Sequence, residues 1–452
     1  MRIITTTLLC LAACLSAIDA TAQANDSQQV QTTSAKTTLS WDNLLERQLG
    51  KTRLDARLKT KDIDKARQQV WKAWVAVNTD ADTEPLGKPT PLSTPYVGRW
   101  TLPDSLEHGA MPYYYGYKGA RPDKGYPLFI YLHGSGPKDQ EWANGIRFGN
   151  KFDDAPCCYF IPQIPNEDHY RWGEQAKQSC YEKLLRLALV SGQVDANRIY
   201  LYGISEGGYG SQRMASFYAD YLAAAGPIAG GEPLINAPAE NCANIAFSLR
   251  TGSNDKGFGR NLLTAITKEA FDSLETARPG LYRHWVELVP GRGHGIDYEK
   301  TTPWLKGFRR NPYPKYVCWE DYEMYGRHRT GFYNLVVRRR PSADHRTRYE
   351  MKIDGNDINL KIDNVTYVGT EKEPNWGITV RYDKHYSPAT GGELTVYLCP
   401  ELVDLSQKVR IRVNGQVVFD GKVRLTRRNL IESCASFYDP CRLYPGAVTV
   451  KY

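Results

Sequence analysis

The stretch that most constrains how this chain can fold is Asn197-Arg-Ile-Tyr-Leu-Tyr-Gly-Ile-Ser-Glu-Gly-Gly-Tyr-Gly210. Ile199 to Tyr202 reads as a short buried strand, and a helix opens directly after Gly203-Ile-Ser-Glu-Gly207. A chain that passes from strand to helix in so few residues must turn sharply, and the crowding favours residues without a Cβ at Gly203 and Gly207. The turn lifts Ser205 clear of the sheet, the setting in which a G-x-S-x-G pattern acquires chemical meaning. A serine hydroxyl is a poor nucleophile at neutral pH and needs a positioned base to take its proton.

The segments on either side supply a sheet for that turn. Pro112 to Tyr117, Leu128 to Leu132, Cys158 to Ile161, Leu222 to Ile228, Ile245 to Leu249 and Trp285 to Val289 read as strands. Ala176 to Val190, the helix after Ser205 to about Tyr221, and Leu262 to Leu274 read as helices. Strands alternating with helices predict an α/β fold, a mostly parallel sheet with helices on both faces. Active sites of such sheets lie at the carboxyl ends of the strands. Beyond about Pro314 the alternation stops, and runs such as Phe332 to Val337, Arg348 to Ile353, Ile358 to Val368, Ile378 to Tyr382 and Leu394 to Leu398 read as successive strands. Val409 to Val413 turns at Asn414-Gly415 into Val417 to Phe419, and Asn-Gly is a strong hairpin signal. This part is expected to form a small antiparallel sandwich-like domain.

Upstream, the apolar run Ile3 to Leu15 after Arg2, followed by Ala22-Gln-Ala24, has the form of a cleaved export signal and is too short for a membrane span. Leu11-Ala-Ala-Cys14 offers the alternative of a lipid anchor at Cys14. Residues 25 to about 40 are rich in Gln, Ser and Thr and read as disordered. Trp41 to Val77 has helical spacing, and a Pro-rich connector runs from Pro85 to Pro95. The expected division is an export signal over 1–24, a disordered and helical start over 25–100, the α/β domain over 101–315 and the β domain over 316–452. Export to the periplasm or medium permits disulfides. Eight cysteines would remain after Ala24, and Cys434 with Cys441 would close a short loop.

The formal charge of +8 includes the runs Arg338-Arg339-Arg340 and Arg427-Arg428. They lie in segments that read as strands and turns, so a solvated basic surface is expected rather than a nucleic-acid stripe. No CxxC pair or His-Cys cluster has metal-ligand spacing, and no metal or cofactor is expected.

A base, an acid to orient it and donors for a developing oxyanion complete a nucleophilic serine, with the acid and then the base following Ser205 along the chain. His294, in Gly291-Arg-Gly-His-Gly295 after the last strand of the alternating series, is the candidate base. Asp255, in Thr251-Gly-Ser-Asn-Asp255 one strand earlier, is the candidate acid, with Glu232 the fallback. Asp297 is too near His294 in sequence to approach its Nδ1 comfortably, and His284, at the start of a strand, reads as structural. His133-Gly-Ser-Gly136 follows the strand Leu128 to Leu132, so the N–H groups of Gly134, Ser135 and Glu206 are the candidate oxyanion donors.

His133-Gly-Ser-Gly136, Gly203-Ile-Ser-Glu-Gly-Gly208, Asp255 and His294 together resemble the α/β-hydrolase superfamily over about residues 110 to 305. The Gly-x-Ser-x-Gly-Gly form and the export signal resemble its secreted esterase branch, which includes feruloyl and acetylxylan esterases and polyhydroxybutyrate depolymerases. Prolyl oligopeptidase-like peptidases share much of the pattern. The carboxy-terminal part resembles the β-domain of exported bacterial hydrolases. The resemblance implies acyl transfer through a covalent serine ester and does not fix the substrate; an oligosaccharide or small-molecule ester is expected from the export signal, the triad candidates and the 30 Tyr and 10 Trp. Trp142 and Trp172 are expected in loops near the site. A serine peptidase and a non-catalytic binding protein on the same fold are the competing expectations. No double-Glu motif and no propeller-length region before the catalytic part speak for the peptidase.

Overall fold

The computed structural model describes residues 43–50, 54–81, 84–342 and 345–452. The export signal, Cys14 and the segment 25–40 lie outside the described residues. Among those described, no helix is long and apolar enough to cross a membrane.

The first sheet has nine strands: β1 Thr90–Pro91, β2 Tyr96–Thr101, β3 Ala110–Lys118, β4 Tyr126–Leu132, β5 Cys157–Pro162, β6 Val194–Ile204, β7 Ala224–Ile228, β8 Ala246–Gly252 and β9 His284–Val289. Their order is β1-β3-β5-β4-β6-β7-β8-β9, with β2 on β3. From β5 across to β9 every neighbouring pair is parallel, and β3 runs antiparallel to both β2 and β5. Every residue of β4 is buried. Its side chains divide by parity, Leu128, Ile130 and Leu132 entering one core and Phe129 and Tyr131 the other. A strand buried on both faces needs apolar residues at every position, which accounts for the unbroken run read in the sequence.

The helices are α1 Ile63–Ala81, α2 Lys138–Lys151, α3 Gln175–Val190, α4 Glu206–Phe217, α5 Arg260–Ala277, α6 Thr301–Lys306 and α7 Arg427–Phe437, with a further helical stretch at 43–49. Residues of α3, α4 and α5 enter the core with Leu128, while residues of α2 and α6 cover the face with Phe129. This is a mixed α/β fold of the α/β-hydrolase type, with the serine turn between β6 and α4.

Several elements were not legible. β2, α2, α7 and the strands Tyr316–Asp321 and Gly446–Lys451 have no counterpart in the sequence reading. In α2 the polar sequence with Gly145 and Gly149 has weak helix propensity. Packing overrides it: a Cβ at Gly145 would stand 2.6 Å from Ile161 Cγ2, so the glycine lets the helix lie close on β5. α1 packs on α7, with Trp74 stacked on Tyr438 at 5.7 Å.

Ten further strands follow: β10 Tyr316–Asp321, β11 Gly331–Phe332, β12 Leu335–Arg339, β13 Arg346–Asp354, β14 Asp357–Lys372, β15 Thr379–Pro388, β16 Glu393–Leu398, β17 Val409–Val413, β18 Gln416–Gly421 and β19 Gly446–Lys451. They form a six-stranded sheet, β10-β13-β14-β17-β18 with β15 on β14, and a four-stranded sheet, β11-β12-β16-β19. Pairing is antiparallel except for β14 with β17. Trp319 of the first stacks on Phe332 of the second, at 5.5 Å. The Asn-Gly turn forms as expected, with Asn414 at φ 46° and Gly415 at φ 85°, both positive as a type I′ hairpin requires. One apolar core continues from the parallel sheet into these sheets. Buried ion pairs join them: Asp220, after α4, meets Arg329 and Arg442, and Arg442 and Arg310 meet Asp439.

Two expectations are corrected. Disulfides do not form among the described cysteines Cys157, Cys158, Cys180, Cys242, Cys318, Cys399 and Cys441, which are thiols. The first six are buried: Cys158, Cys180, Cys242 and Cys399 pack as small apolar groups in the core, Cys157 lies 3.3 Å from Asp154 Oδ1 and Cys318 3.4 Å from Arg348 Nε, while Cys441 Sγ lies 3.6 Å from Asn197 Nδ2 rather than bridging to Cys434. The basic runs do stay at the surface, with Arg338 and Arg339 exposed, but one of them is helical. Arg340 pairs with Asp321, and Arg428, on α7 rather than a strand or turn, pairs with Asp55 and Glu46.

Candidate active site

Ser205 stands between the last residue of β6 and the first of α4, at φ 59° and ψ −116°. A non-glycine residue at positive φ is strained and persists only where its surroundings hold it. Here the Ser205 N–H donates to the Ile228 carbonyl at 3.0 Å, and the Ser205 carbonyl accepts from Gly208 and Tyr209 at 2.8 and 3.1 Å. A Cβ at Gly207 would collide with the Leu132 carbonyl, so the start of α4 can approach the end of β4 only with glycine there.

His294 comes from the exposed loop after β9. Its Nε2 lies 3.0 Å from Ser205 Oγ and its Nδ1 2.7 Å from Asp255 Oδ2. The acid loop and the histidine loop are tied together. Asn254 N–H donates to the Arg292 carbonyl at 2.8 Å, and Gly291 N–H to Ser253 Oγ at 2.9 Å. The imidazole is 44% exposed and open to a ligand, whereas the Asp255 side chain is only 3% exposed. Glu232 takes no part. It accepts from Arg213 at 2.7 and 3.0 Å and from Asn236 at 3.0 Å. Asp297 binds the Glu299 N–H and receives Arg250 on its carbonyl. His284 meets Asp272 and the Tyr282 carbonyl, the structural part expected of it.

Asp255 has a partner that sequence reading missed. Arg260, the first residue of α5, holds it bidentately, Nε to Oδ2 at 2.9 Å and Nη2 to Oδ1 at 2.5 Å. Arg260 Nη1 lies 3.4 Å from the Tyr209 hydroxyl. Burial works to raise the Asp255 carboxyl, but the hydrogen bonds from Arg260 and His294 outweigh it and bring it below the ordinary carboxylate range. The acid is therefore ionised at neutral pH. The only trace of Arg260 in sequence is its position five residues after the acid, which no general rule singles out.

The loop after β4 lies against the serine: a Cβ at Gly134 would be 3.4 Å from Ser205 Cβ. Ser135 is next along that loop. His133 is buried, and burial pushes its imidazole down to about 4, so it is neutral. Ile164 N–H donates to His133 Nε2 at 3.0 Å, which leaves Nδ1 to donate to the Gly134 carbonyl at 2.8 Å. The Tyr170 hydroxyl donates to the same carbonyl at 2.6 Å, and Trp172 Nε1 to the His133 carbonyl at 3.0 Å. Trp172 does lie in a loop, but it is 2% exposed and braces the glycine loop from behind. Trp142 is not in a loop: it is on α2, stacked on Tyr114 at 3.8 Å, with Nε1 donating to the Ile161 carbonyl.

Glu206 opens α4, so its N–H has no partner within the helix. Its side chain is 9% exposed and is paired with the half-exposed Arg171 at 2.6 Å. Burial pushes this carboxyl up to about 7, with Arg171 offsetting part of the rise and the charge of Glu232 adding to it. Among the described residues, no group of three or more His, Cys, Asp or Glu is placed to hold a metal ion.

No family model matches the chain, and no curated protein matches it. Solved structures similar to it are esterases and peptidases of the α/β-hydrolase type. A thermostable esterase is 22% identical with a TM-score of 0.39, over 48% of this chain and 64% of the esterase. A CE1 ferulic acid esterase from Anaeromyces mucronatus, solved with ferulic acid, is 15% identical with a TM-score of 0.32, over 45% of this chain and 86% of that one. A putative dipeptidyl aminopeptidase IV from Bacteroides ovatus is 14% identical with a TM-score of 0.36, over 47% of this chain and 35% of that one. Likenesses this distant fix neither reaction nor substrate, which must be read from the side chains.

Proposed function

We propose that the chain is a serine hydrolase that cleaves carboxylic esters, with acyl or methyl esters on polysaccharide fragments as its substrate class. The observation that carries this reading is the linked pair of contacts from Ser205 Oγ to His294 Nε2 at 3.0 Å and from His294 Nδ1 to Asp255 Oδ2 at 2.7 Å. In this reading His294 takes the Ser205 proton as Oγ attacks the ester carbonyl carbon. The oxyanion that forms is held by N–H groups of Gly134, Ser135 and Glu206, where a single donor contributes about 100- to 1000-fold in rate. His294 then gives the proton to the departing alcohol oxygen, the C–O bond breaks, and an acyl-Ser205 ester remains. Water, deprotonated by His294, attacks that ester and releases the acid. Asp255, held ionised, orients the imidazole and stabilises its cation. The amino-terminal 1–24 segment would direct export, 101–315 would carry catalysis and 316–452 would form the accompanying β domain.

A peptidase would need a charged anchor for a substrate amine. Glu206, beside the serine, and Glu232, the fallback acid, are each already paired with an arginine, Arg171 and Arg213. This favours the ester. The test compares acetylated, feruloylated and methyl-esterified oligosaccharides with aminoacyl nitroanilides. Turnover of an ester class, falling about 10⁴-fold or more in Ser205→Ala, is expected. Faster turnover of the nitroanilides would replace the esterase by the peptidase, and retained activity in Ser205→Ala would remove the mechanism.

A further inference from the structure

The order of the parallel sheet sets the two halves of an ester apart. Along β5-β4-β6-β7-β8-β9 all neighbours are parallel, so the loops after these strands leave from one edge. Asp255 and His294 follow β8 and β9, on one side of the serine strand β6. The oxyanion loop follows β4 on the other side, and the segment 163–174 follows β5 beyond it. His294 Nε2 must reach the oxygen of the departing alcohol, so the alcohol half lies toward β8 and β9. The acyl half opens toward the loops of β4 and β5.

That side of Ser205 is polar and carries unused hydrogen-bonding groups. The Tyr170 hydroxyl donates to the carbonyls of Gly134 and Gly136 at 2.6 and 3.1 Å, and Trp172 Nε1 to that of His133. Arg171, held between these two braces, donates from Nη1 to Glu206 Oε2 at 2.6 Å. Its Nε and Nη2 have no partner among the described residues, and its side chain is 57% exposed. Glu141 of α2 reaches the same loop from its other flank. A Cβ at Gly134 would stand 3.4 Å from both Glu141 Oε2 and Ser205 Cβ, and one at Gly136 2.5 Å from Glu141 Oε1. The half-buried Glu141 carboxylate has no hydrogen-bond or ion-pair partner among the described residues. Tyr325, from the β part and at φ 50°, closes the rim: a Cβ at Gly173 would be 2.8 Å from its Cε2. Burial raises its phenol, and the charges of Arg171 and Glu206 act on it in opposite senses.

Charge decides what such a flank accepts. An anionic acyl group would meet the unpaired Glu141, and a cationic one the guanidinium of Arg171. An apolar one would strip water from both and return no hydrogen bond, which is costly. A neutral ring bearing hydroxyls uses both, accepting from Arg171 and donating to Glu141. Balancing the charge of Glu206 accounts for one N–H of Arg171 and leaves the free Glu141 unexplained.

We infer that the acyl half of the substrate is itself a sugar ring, an alkyl-esterified uronic acid residue whose hydroxyls are held by Arg171 and Glu141. This inference rests on the esterase reading above and deepens it, for it chooses the uronate ester over an acyl group carried on a sugar hydroxyl. With a methyl ester, Ser205 Oγ attacks the uronate carboxyl carbon and its proton passes to His294. His294 returns the proton to the methoxy oxygen as the C–O bond breaks, and methanol leaves. Water then hydrolyses the uronoyl-Ser205 ester to the free uronic acid.

The test uses the full chain and its Arg171→Gln, Glu141→Gln and Tyr325→Phe variants. The substrates are fully methyl-esterified oligogalacturonides, methyl-esterified glucuronoxylan oligosaccharides, acetylated and feruloylated xylan oligosaccharides, and 4-nitrophenyl acetate as the sugar-free control. A methyl uronate is expected to have the highest kcat/KM among the oligosaccharides, with methanol released. Arg171→Gln and Glu141→Gln are each expected to lower the ratio of its kcat/KM to that of nitrophenyl acetate about tenfold, through KM, and Tyr325→Phe about threefold. Acetylated or feruloylated oligosaccharides turned over faster than every methyl uronate would overturn the inference. So would a ratio unchanged in both Arg171→Gln and Glu141→Gln, including an equal fall on both substrates, which would leave Arg171 as the counter-charge of Glu206 alone. Failure of the esterase reading looks different: nitrophenyl acetate itself would then be turned over equally by Ser205→Ala.

Discussion

The sheet that carries Ser205 and the sheets that follow it use similar apolar residues in different patterns. In β4, β5, β7 and β8 every residue is buried, whereas along β13 and β17 buried and more exposed residues alternate. The first pattern belongs to a sheet covered on both faces, the second to sheets with one face in water. The difference extends to the turns. At the carboxyl edge of the parallel sheet the backbone is boxed in by neighbouring strands and helices, so the serine turn has no room to relax. At the Asn414-Gly415 hairpin of the β part, by contrast, no atom lies within 4 Å of where a Cβ on Gly415 would stand. A catalytic constellation must be held to about half an ångström, so it sits on the boxed-in edge. The more tolerant part can contribute a rim.

One glycine in each region puts the contrast at its sharpest. Gly207→Ala is expected to prevent folding or to cost more than about 4 kcal/mol, since its Cβ would meet the Leu132 carbonyl and neither backbone can yield. Gly415→Ala, with no atom within 4 Å of the added Cβ, is expected to cost only the strain of its positive φ, about 1 kcal/mol. Urea unfolding of the two variants measures both. Equal losses would remove the distinction between the edges.

Within the site, Asp255→Asn is expected to lower kcat about 10³- to 10⁴-fold by spoiling the orientation and charge support of the imidazole. Arg260→Gln acts one contact farther out. A loss of about tenfold in kcat with KM little changed is expected, because Asp255 would lose its bidentate clamp while keeping His294. Steady-state kinetics on one short ester separates the two. A loss in Arg260→Gln as large as that in Asp255→Asn would make the arginine a full member of the relay rather than a positioning residue.

Glu206 gives a pH signature. Its carboxyl is raised in the folded state from 4.5 to about 7, so between those values the native protein binds more protons than the unfolded chain. Stability from this group is therefore greatest at low pH and declines as pH rises to 7, by on the order of 3 kcal/mol. Unfolding free energies of Glu206→Gln and the parent protein, measured from pH 4.5 to 8, should move in the variant's favour as pH rises. Asp404, in a surface turn of the β part, is lowered by the hydroxyl and N–H of Ser406. Its effect is expected to be smaller and of opposite sign, present above the usual carboxylate range and lost as pH falls.

What could be read from sequence follows the same division. That Ser205, Asp255 and His294 would come together was legible because each follows a strand of the parallel sheet in a glycine-rich loop, and their order along the chain is fixed by the sheet. Arg260, Tyr170 and the neutral His133 were not, because they act on those loops through contacts that exist only after folding. α2 escaped because two glycines that weaken a helix in isolation are what let this one lie on β5. The cysteines misled: an export signal invites disulfides, yet Cys158, Cys180, Cys242 and Cys399 fill apolar space in the core. Tyr325 is one more tyrosine in the sequence, and only the packing of the β part brings it against Gly173, two residues from Arg171.

The central claim is that Ser205 carries the acyl group, and its most direct test is the covalent intermediate. The protein would be mixed with excess 4-nitrophenyl acetate, quenched in acid within the first turnovers and mapped by peptide mass spectrometry. One acetyl group on the peptide containing Ser205, absent from Ser205→Ala and accumulating in the slow deacylation expected of Asp255→Asn, is the predicted result. Turnover of the ester with no acetyl on Ser205 at any quench time, or with the acetyl on another residue, would contradict it.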